Sequence, residues 1–271
     1  MPIFYKASVD HLAVDVDGSP RAYASREDLE YMAMDWLGNA REGKNHKGKI
    51  SSNVVVYQNE KPYIQDSGWY SGMYLAKTSF RRKWRKDSVD NDTNPSAYLD
   101  PEVYPYFVLQ GEGSKNDYNM NLGDIAYVEN TDTNKWSFAI YGDSGELPLV
   151  EGSLKLLQNL GFGQTDAKHG GLPASHLVEK IVPKTTKDGR SILKKTKTYT
   201  IGGKINYILF PQSGFGNYHP FTLLEMDMIG HIKMAAYITQ YPNEPLTIYE
   251  KNLHSKAHDA LNHLTLWKSP F

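Results

Sequence analysis

Asp143 and Glu151 are the two side chains in this sequence best placed to do chemistry together. The stretch from Leu122 to Gly161 reads as strand, hairpin, strand, carboxylate-bearing loop and short helix. Trp136, Phe138 and Ile140 alternate with Ser137, Ala139 and Tyr141, the period of a half-buried strand, and the run delivers Asp143 at its end. Glu151 follows, ahead of Gly152-Ser153 and an apolar helical run, Leu154 to Leu160, closed by Gly161. An Asp at a strand end and a Glu at a helix start can face one another across a cleft. Glycoside hydrolysis needs two such carboxylates, one to protonate the leaving oxygen and one to activate water or attack. Spacing alone favours the plainer reading, two surface acids near a helix N-terminus, where the macrodipole stabilises them. Glu146 lies between them as a competitor.

Other chemistries find less support. His254 and His258 are four residues apart with His263 nearby, but no HExxH pattern or acidic third ligand accompanies them, so no metal is expected. Asp90-x-Asp92-x-Asn94 starts like a calcium loop, yet Pro95 and Pro101 stand at its sixth and twelfth positions. The G-x-S-x-G nucleophile elbow and the nucleotide-binding glycine fingerprints are absent from the sequence, and no cofactor is expected. Cysteine is absent, which removes thiolate chemistry. A net charge of −1 gives no field to attract nucleic acid or an anionic membrane. No stretch has the roughly 20 apolar residues that span a bilayer. The N-terminus lacks the basic and apolar regions of a secretory signal, so the expectation is a cytoplasmic protein or one exported without such a signal.

The elements that must position the pair are mostly strands. Ile3 to Val9 and His11 to Val16 read as two short strands, the second presenting Asp15 and Asp17 on one side. Ser25-x-x-Asp28 predicts a helix running to about Leu37. Asn53 to Tyr57, Gly68 to Phe80, Tyr104 to Gln110 and Ile205 to Phe210 read as strands, and Asp188-Gly189 predicts the turn of a lysine-rich hairpin over 181–200. Thr222-x-x-Glu225 is a capping box opening an apolar helix to about Ile238, and Leu253, Ala257, Ala260, Leu261 and Leu264 recur at helical spacing. Strands without regularly intervening helices predict a single α+β domain: a mostly antiparallel or mixed sheet curled into a barrel, with three to four flanking helices. The 19 tyrosines suit such a sheet, and equally suit a sugar-binding surface.

Seven segments in order resemble landmarks of glycoside hydrolase family 75, the fungal-type chitosanases. They are VDVDGSPRAY (14–23), GWYSGMYLAKTSF (68–80), YLDPEVYPYFVLQ (98–110), LGDIAYVE (122–129), SFAIYGDSG (137–145), VEGSLKLLQNLG (150–161) and INYILFPQSG (205–214). The resemblance implies a chitosanase-like catalytic domain over 1–214 and a helical C-terminal extension, 215–271, packed on the same domain. It implies endo-acting, inverting cleavage of a β-1,4-linked amino-sugar polymer such as chitosan, with Glu151 as general acid and Asp143 as general base. Asp15, Asp17, Thr78, Ser79, Tyr106 and Asp124 are implied as cleft, substrate-binding residues. Inversion requires the carboxyls to stand about 6.5–9.5 Å apart. Glu151 is expected to be partly buried, and Asp143 to sit in a more polar setting.

The sequence departs from the family at Val150, where glycine is commoner, and at Gln110, where proline is. Near-neutral charge and two basic loops, 81–94 and 181–200, also suit peptidoglycan, whose stem peptides carry carboxylates. A muramidase-like hydrolase is therefore the alternative reading. It would be a toxin exported without a signal, whose partner would be an immunity protein. A non-catalytic carbohydrate-binding protein is a further one. A monomer is expected in each case.

Overall fold

The computed structural model describes residues 2–43, 46–82, 92–110, 118–145, 149–161, 165–166, 172–173, 181–185, 191–195, 200–216, 219–245 and 247–252, with backbone alone between 165 and 203. Six strands close a barrel: β1 (Tyr5–Asp15), β2 (Tyr106–Gln110), β3 (Ile125–Asn130), β4 (Lys135–Gly145), β5 (Glu151–Ser153) and β6 (Thr200–Phe210). Their order around it is β1-β6-β3-β4-β2-β5 and back to β1. The β1–β6, β6–β3, β3–β4 and β2–β5 pairs are antiparallel, whereas β4–β2 and β5–β1 are parallel. The expected mixed-sheet barrel of α+β class is the fold of this chain.

The hairpin at Asn130–Asn134 forms as its polar turn predicts, with Asn134 in the left-handed region. Phe107 stacks on Tyr141 at 5.9 Å and meets Tyr207 edge-on at 6.1 Å, all three buried beside Leu12 and Leu156 in the main core. Ser153 caps α1 (Leu154–Asn159) by accepting from the Leu156 amide. Gly161 takes φ +87° where the helix ends. Between β1 and β2 the chain leaves the barrel, and residues 16–76 build a smaller core around Val16, Tyr23, Met34, Val55 and Ala76 that also takes in Leu154 of α1.

Four expectations change. The strand over Asn53–Tyr57 is a turn followed by a single bridge, Val55 to Ala76, and regular pairing starts only at Tyr57. The helix over Ser25–Leu37 is absent; short 3₁₀ turns occupy Glu27–Leu29 and Leu37–Ala40. The Met34 and Asp35 amides instead bond the carbonyls of Arg21 and Ala22, and Ser25 Oγ donates to the Gly72 carbonyl, bonds that a continuous helix would forbid. The long strand over Gly68–Phe80 pairs regularly only at Met73–Tyr74, because Gly68 and Gly72 adopt left-handed backbone and turn it. The two N-terminal strands are one, with an irregularity in the ladder between Val9 and His11. The backbone of Ile181–Thr185 does pair with Ser191–Lys195. The expected turn at 188–189, Glu146, the calcium-like Asp90 and the helix with histidines beyond 252 lie outside the described residues.

The extension after β6 packs on the barrel through α2 (Leu223–Gln240), which opens with the predicted capping box. Gly230 seats it: a Cβ there would lie 2.4 Å from the ring of Phe138 on β4. Gly230→Val is expected to cost about 1–3 kcal/mol of stability by overpacking. Thermal unfolding checks this, and an unchanged midpoint would show that α2 is not held at that contact.

Candidate functional site

The strand registers put Asp143 and Glu151 on one rung of the sheet. Val108 of β2 pairs with Asp143 on one side, and Phe107 pairs with Gly152 on the other, so Val108 lies between Asp143 and Glu151. Ala13 of β1 pairs with Glu151 and extends the rung, and Asp15, two residues on, shares its face. A Cβ on Gly145 would meet Glu151 Oε2 at 3.0 Å and Val108 Cγ1 at 2.9 Å, so the half-buried Glu151 carboxyl reaches back toward the end of β4. Residues 17–18 and 78–80 close over this face.

Asp17 enters from the turn after β1. Its amide donates to Asp15 Oδ1 at 2.8 Å, and Tyr23 Oη donates to its Oδ1 at 2.9 Å. The next residue, Gly18, has φ +88°, and a Cβ there would lie 2.1 Å from the Leu99 carbonyl oxygen. Only glycine satisfies both demands. Tyr106, fully buried, donates to the carbonyl oxygens of Asp15 and Asp17 at 3.3 and 2.8 Å, which fixes the turn from below. One oxygen each of Asp15, Asp17 and Asp143 then lies within 4.8 Å of the others.

Three acids so close in a buried setting cannot all ionise cheaply, and their surroundings separate them. Burial pushes Asp15 well above the usual carboxylate range, with the charges of Asp17, Asp143 and Glu151 adding to it. Burial does the same to Asp17, helped by Asp143, Asp35 and Glu151. Asp143, only 6% exposed, is raised by burial too, but three donors oppose the rise: Ser79 N at 2.9 Å, Ser79 Oγ at 2.6 Å and Ser144 N at 2.7 Å, all to Oδ1. Arg81 opposes it further. Asp143 is thus the member of the trio equipped to carry negative charge, while Asp15 and Asp17 are equipped to hold protons. The same three oxygens also make the only group among the described residues arranged to bind a cation, supplying three of the six to eight that calcium takes.

The structure therefore gathers Asp143, Glu151, Asp15, Asp17 and Ser79. Asp143 is more deeply buried than a polar setting suggests, because Ser79 covers it and supplies the polarity. Thr78 is fully buried and splints the backbone, donating to the Phe80 carbonyl and accepting from the Leu99 amide. Tyr106 likewise supports from beneath. Asp124 belongs elsewhere: its carboxylate accepts from the amides of Asn121, Gln212 and Gly214 and ties the turn after β6 to the start of β3. Tyr23, Asp35 and Arg81 join the site without any local signal in the sequence, since each arrives through the fold of the 16–82 segment.

A scan of protein-family models and a search of curated proteins both return no match to this chain.

The raised acids have a consequence for stability. A carboxyl whose folded pKa exceeds its unfolded value binds protons more tightly in the native state, so its contribution is full at low pH and is lost as pH rises through the folded value. Asp15→Asn and Asp17→Asn keep the hydrogen-bond acceptor and remove the charge. Each is expected to raise the thermal midpoint at pH 7 by at least about 2 °C, with a smaller gain at pH 4. A midpoint lowered at pH 7 would contradict the assignment.

Proposed function

We propose that this chain is an endo-acting glycoside hydrolase that cleaves a β-1,4-linked amino-sugar polymer with inversion. The observation that carries the reading is the shared rung of Asp143 and Glu151. One strand separates them, so their backbones stand two strand spacings apart, about 9.5 Å. A backbone spacing of that size is compatible with the carboxyl separation that leaves room for a water between base and sugar. Asp143, held by hydrogen bonds from Ser79 and Ser144 that favour its anion, takes the proton from that water. Glu151, at the opening of β5, protonates the departing glycosidic oxygen. The proton-holding Asp15 and Asp17 keep the pocket floor from accumulating four negative charges at once.

Local charge supports the substrate class. The whole chain is near neutral, yet acids crowd this face, and even with Asp15, Asp17 and Glu151 holding protons, Asp35 and Asp143 are the acids left to set its charge, opposed by Arg81. Arg81 and Arg82 of the first basic loop are partly engaged by the protein itself, over the rings of Tyr98 and Tyr104. A cationic glucosamine polymer is attracted by such a cleft, whereas the carboxylates of peptidoglycan are repelled.

Digestion of chitosan and peptidoglycan side by side, with reducing-end assay and mass analysis of fragments, tests this. Oligosaccharides are expected from chitosan, and Glu151→Gln or Asp143→Asn should each lower kcat at least about 100-fold. EDTA should leave the rate unchanged; loss on chelation with recovery on adding calcium would assign the carboxylate trio to a cation. Product from neither polymer would overturn the proposal.

A further inference from the structure

Beside the carboxylate site lies a second feature with the makings of a sugar subsite. Ala24, Glu30, Asp35, Trp36 and Leu37 line a small depression of about 10 Å³, the room of one water, with the exposed indole of Trp36 at its rim. Trp36 is 44% exposed, unusual for a ring of that size held so firmly. One side of the indole presses on Gly38, where a Cβ would sit 2.4 Å from ring carbons, and His46 packs against it at 5.3 Å between centroids. The ring is thus fixed before any ligand arrives.

Asp35 links this platform to the chemistry. Trp36 N donates to its Oδ1 and Asn39 Nδ2 to its Oδ2, each at 2.7 Å, which sets the carboxyl next to the indole. The Met34 and Asp35 amides bind the carbonyls of Arg21 and Ala22, so the segment is anchored alongside Tyr23, whose hydroxyl holds Asp17. The charge of Asp35 reaches both Asp17 and Tyr23. The depression and the carboxylate trio therefore share one field.

We propose that Trp36 and Asp35 form a subsite for a glucosamine residue of the bound chain, at a distance from the bond that is cleaved. The apolar face of the pyranose lies on the indole, and the ammonium meets the Asp35 carboxylate and the ring quadrupole. An N-acetylated residue lacks that charge and binds more weakly. The inference rests on the hydrolase reading for its ligand, but binding tests it separately from turnover.

Calorimetry of glucosamine and N-acetylglucosamine hexamers with the full chain carrying Glu151→Gln provides the test. Adding Trp36→Ala is expected to weaken the glucosamine hexamer at least about 10-fold. Adding Asp35→Asn should narrow the preference for glucosamine over its N-acetylated counterpart. Trp36→Phe should retain binding within about 3-fold while abolishing a ligand-induced change in tryptophan fluorescence, which keeps the test valid should Trp36→Ala fold poorly. Equal affinity with and without Trp36, or no binding of either hexamer, overturns the subsite. Hydrolysis of chitosan by the unaltered chain is scored in parallel: turnover without Trp36-dependent binding removes the subsite alone, and Trp36-dependent binding without turnover removes the hydrolase reading alone.

Discussion

The crowding of the half-buried Asp15 and Asp17 against the buried Asp143 is the constraint to which the rest of the site answers. Like charges at such separation repel strongly in a medium less polar than water, and removing them from solvent adds to the cost. The fold meets that cost unequally. It spends three hydrogen bonds on Asp143 and leaves Asp15 and Asp17 largely to protonation. The result is that Asp143, of the three, is the one best supported as an anion, with Asp15 and Asp17 the ones pushed furthest toward holding protons.

The barrel supplies the distances. Parallel pairing of β5 with β1 and of β4 with β2 brings strand ends that carry acids to one side of the same sheet quarter. The 16–104 excursion then lays Gly18 against the Leu99 carbonyl and Ser79 against Asp143, so one face is enclosed while the others pack inward on aromatic rings or outward on α2. A site built from strand rungs has little freedom to adjust, which suits a reaction that depends on a fixed gap between two carboxyls.

The sequence made the barrel strands legible where burial is one-sided or complete. Trp136–Ile140 alternated, and Ile125–Val128 and Ile205–Phe210 formed short apolar runs between turn residues. It failed on 25–80, where backbone amides bond to distant carbonyls and the pattern of apolar residues serves a small irregular core rather than one face. Asp143 and Glu151 were readable as a pair from a strand end and a helix entrance, whereas Asp15 and Asp17 entered as site candidates only through the family resemblance. Thr78, Tyr106 and Asp124 came from the same resemblance, and only their hydrogen-bond partners reveal that they brace the backbone. Asp35 and Trp36 carried no signal, since they reach the site through two amide bonds to residues 21 and 22.

A single strand separates Asp143 from Glu151, and under the proposed hydrolysis the stereochemistry of the product reads that separation directly. Proton NMR of a β-linked glucosamine oligomer during the first minutes of digestion follows the new reducing end before it equilibrates. A water held between the two carboxyls attacks from the face opposite the leaving group, so the α-anomer is expected first. First appearance of the β-anomer would mean a covalent intermediate on a closer pair of acids, and would contradict this account of the site.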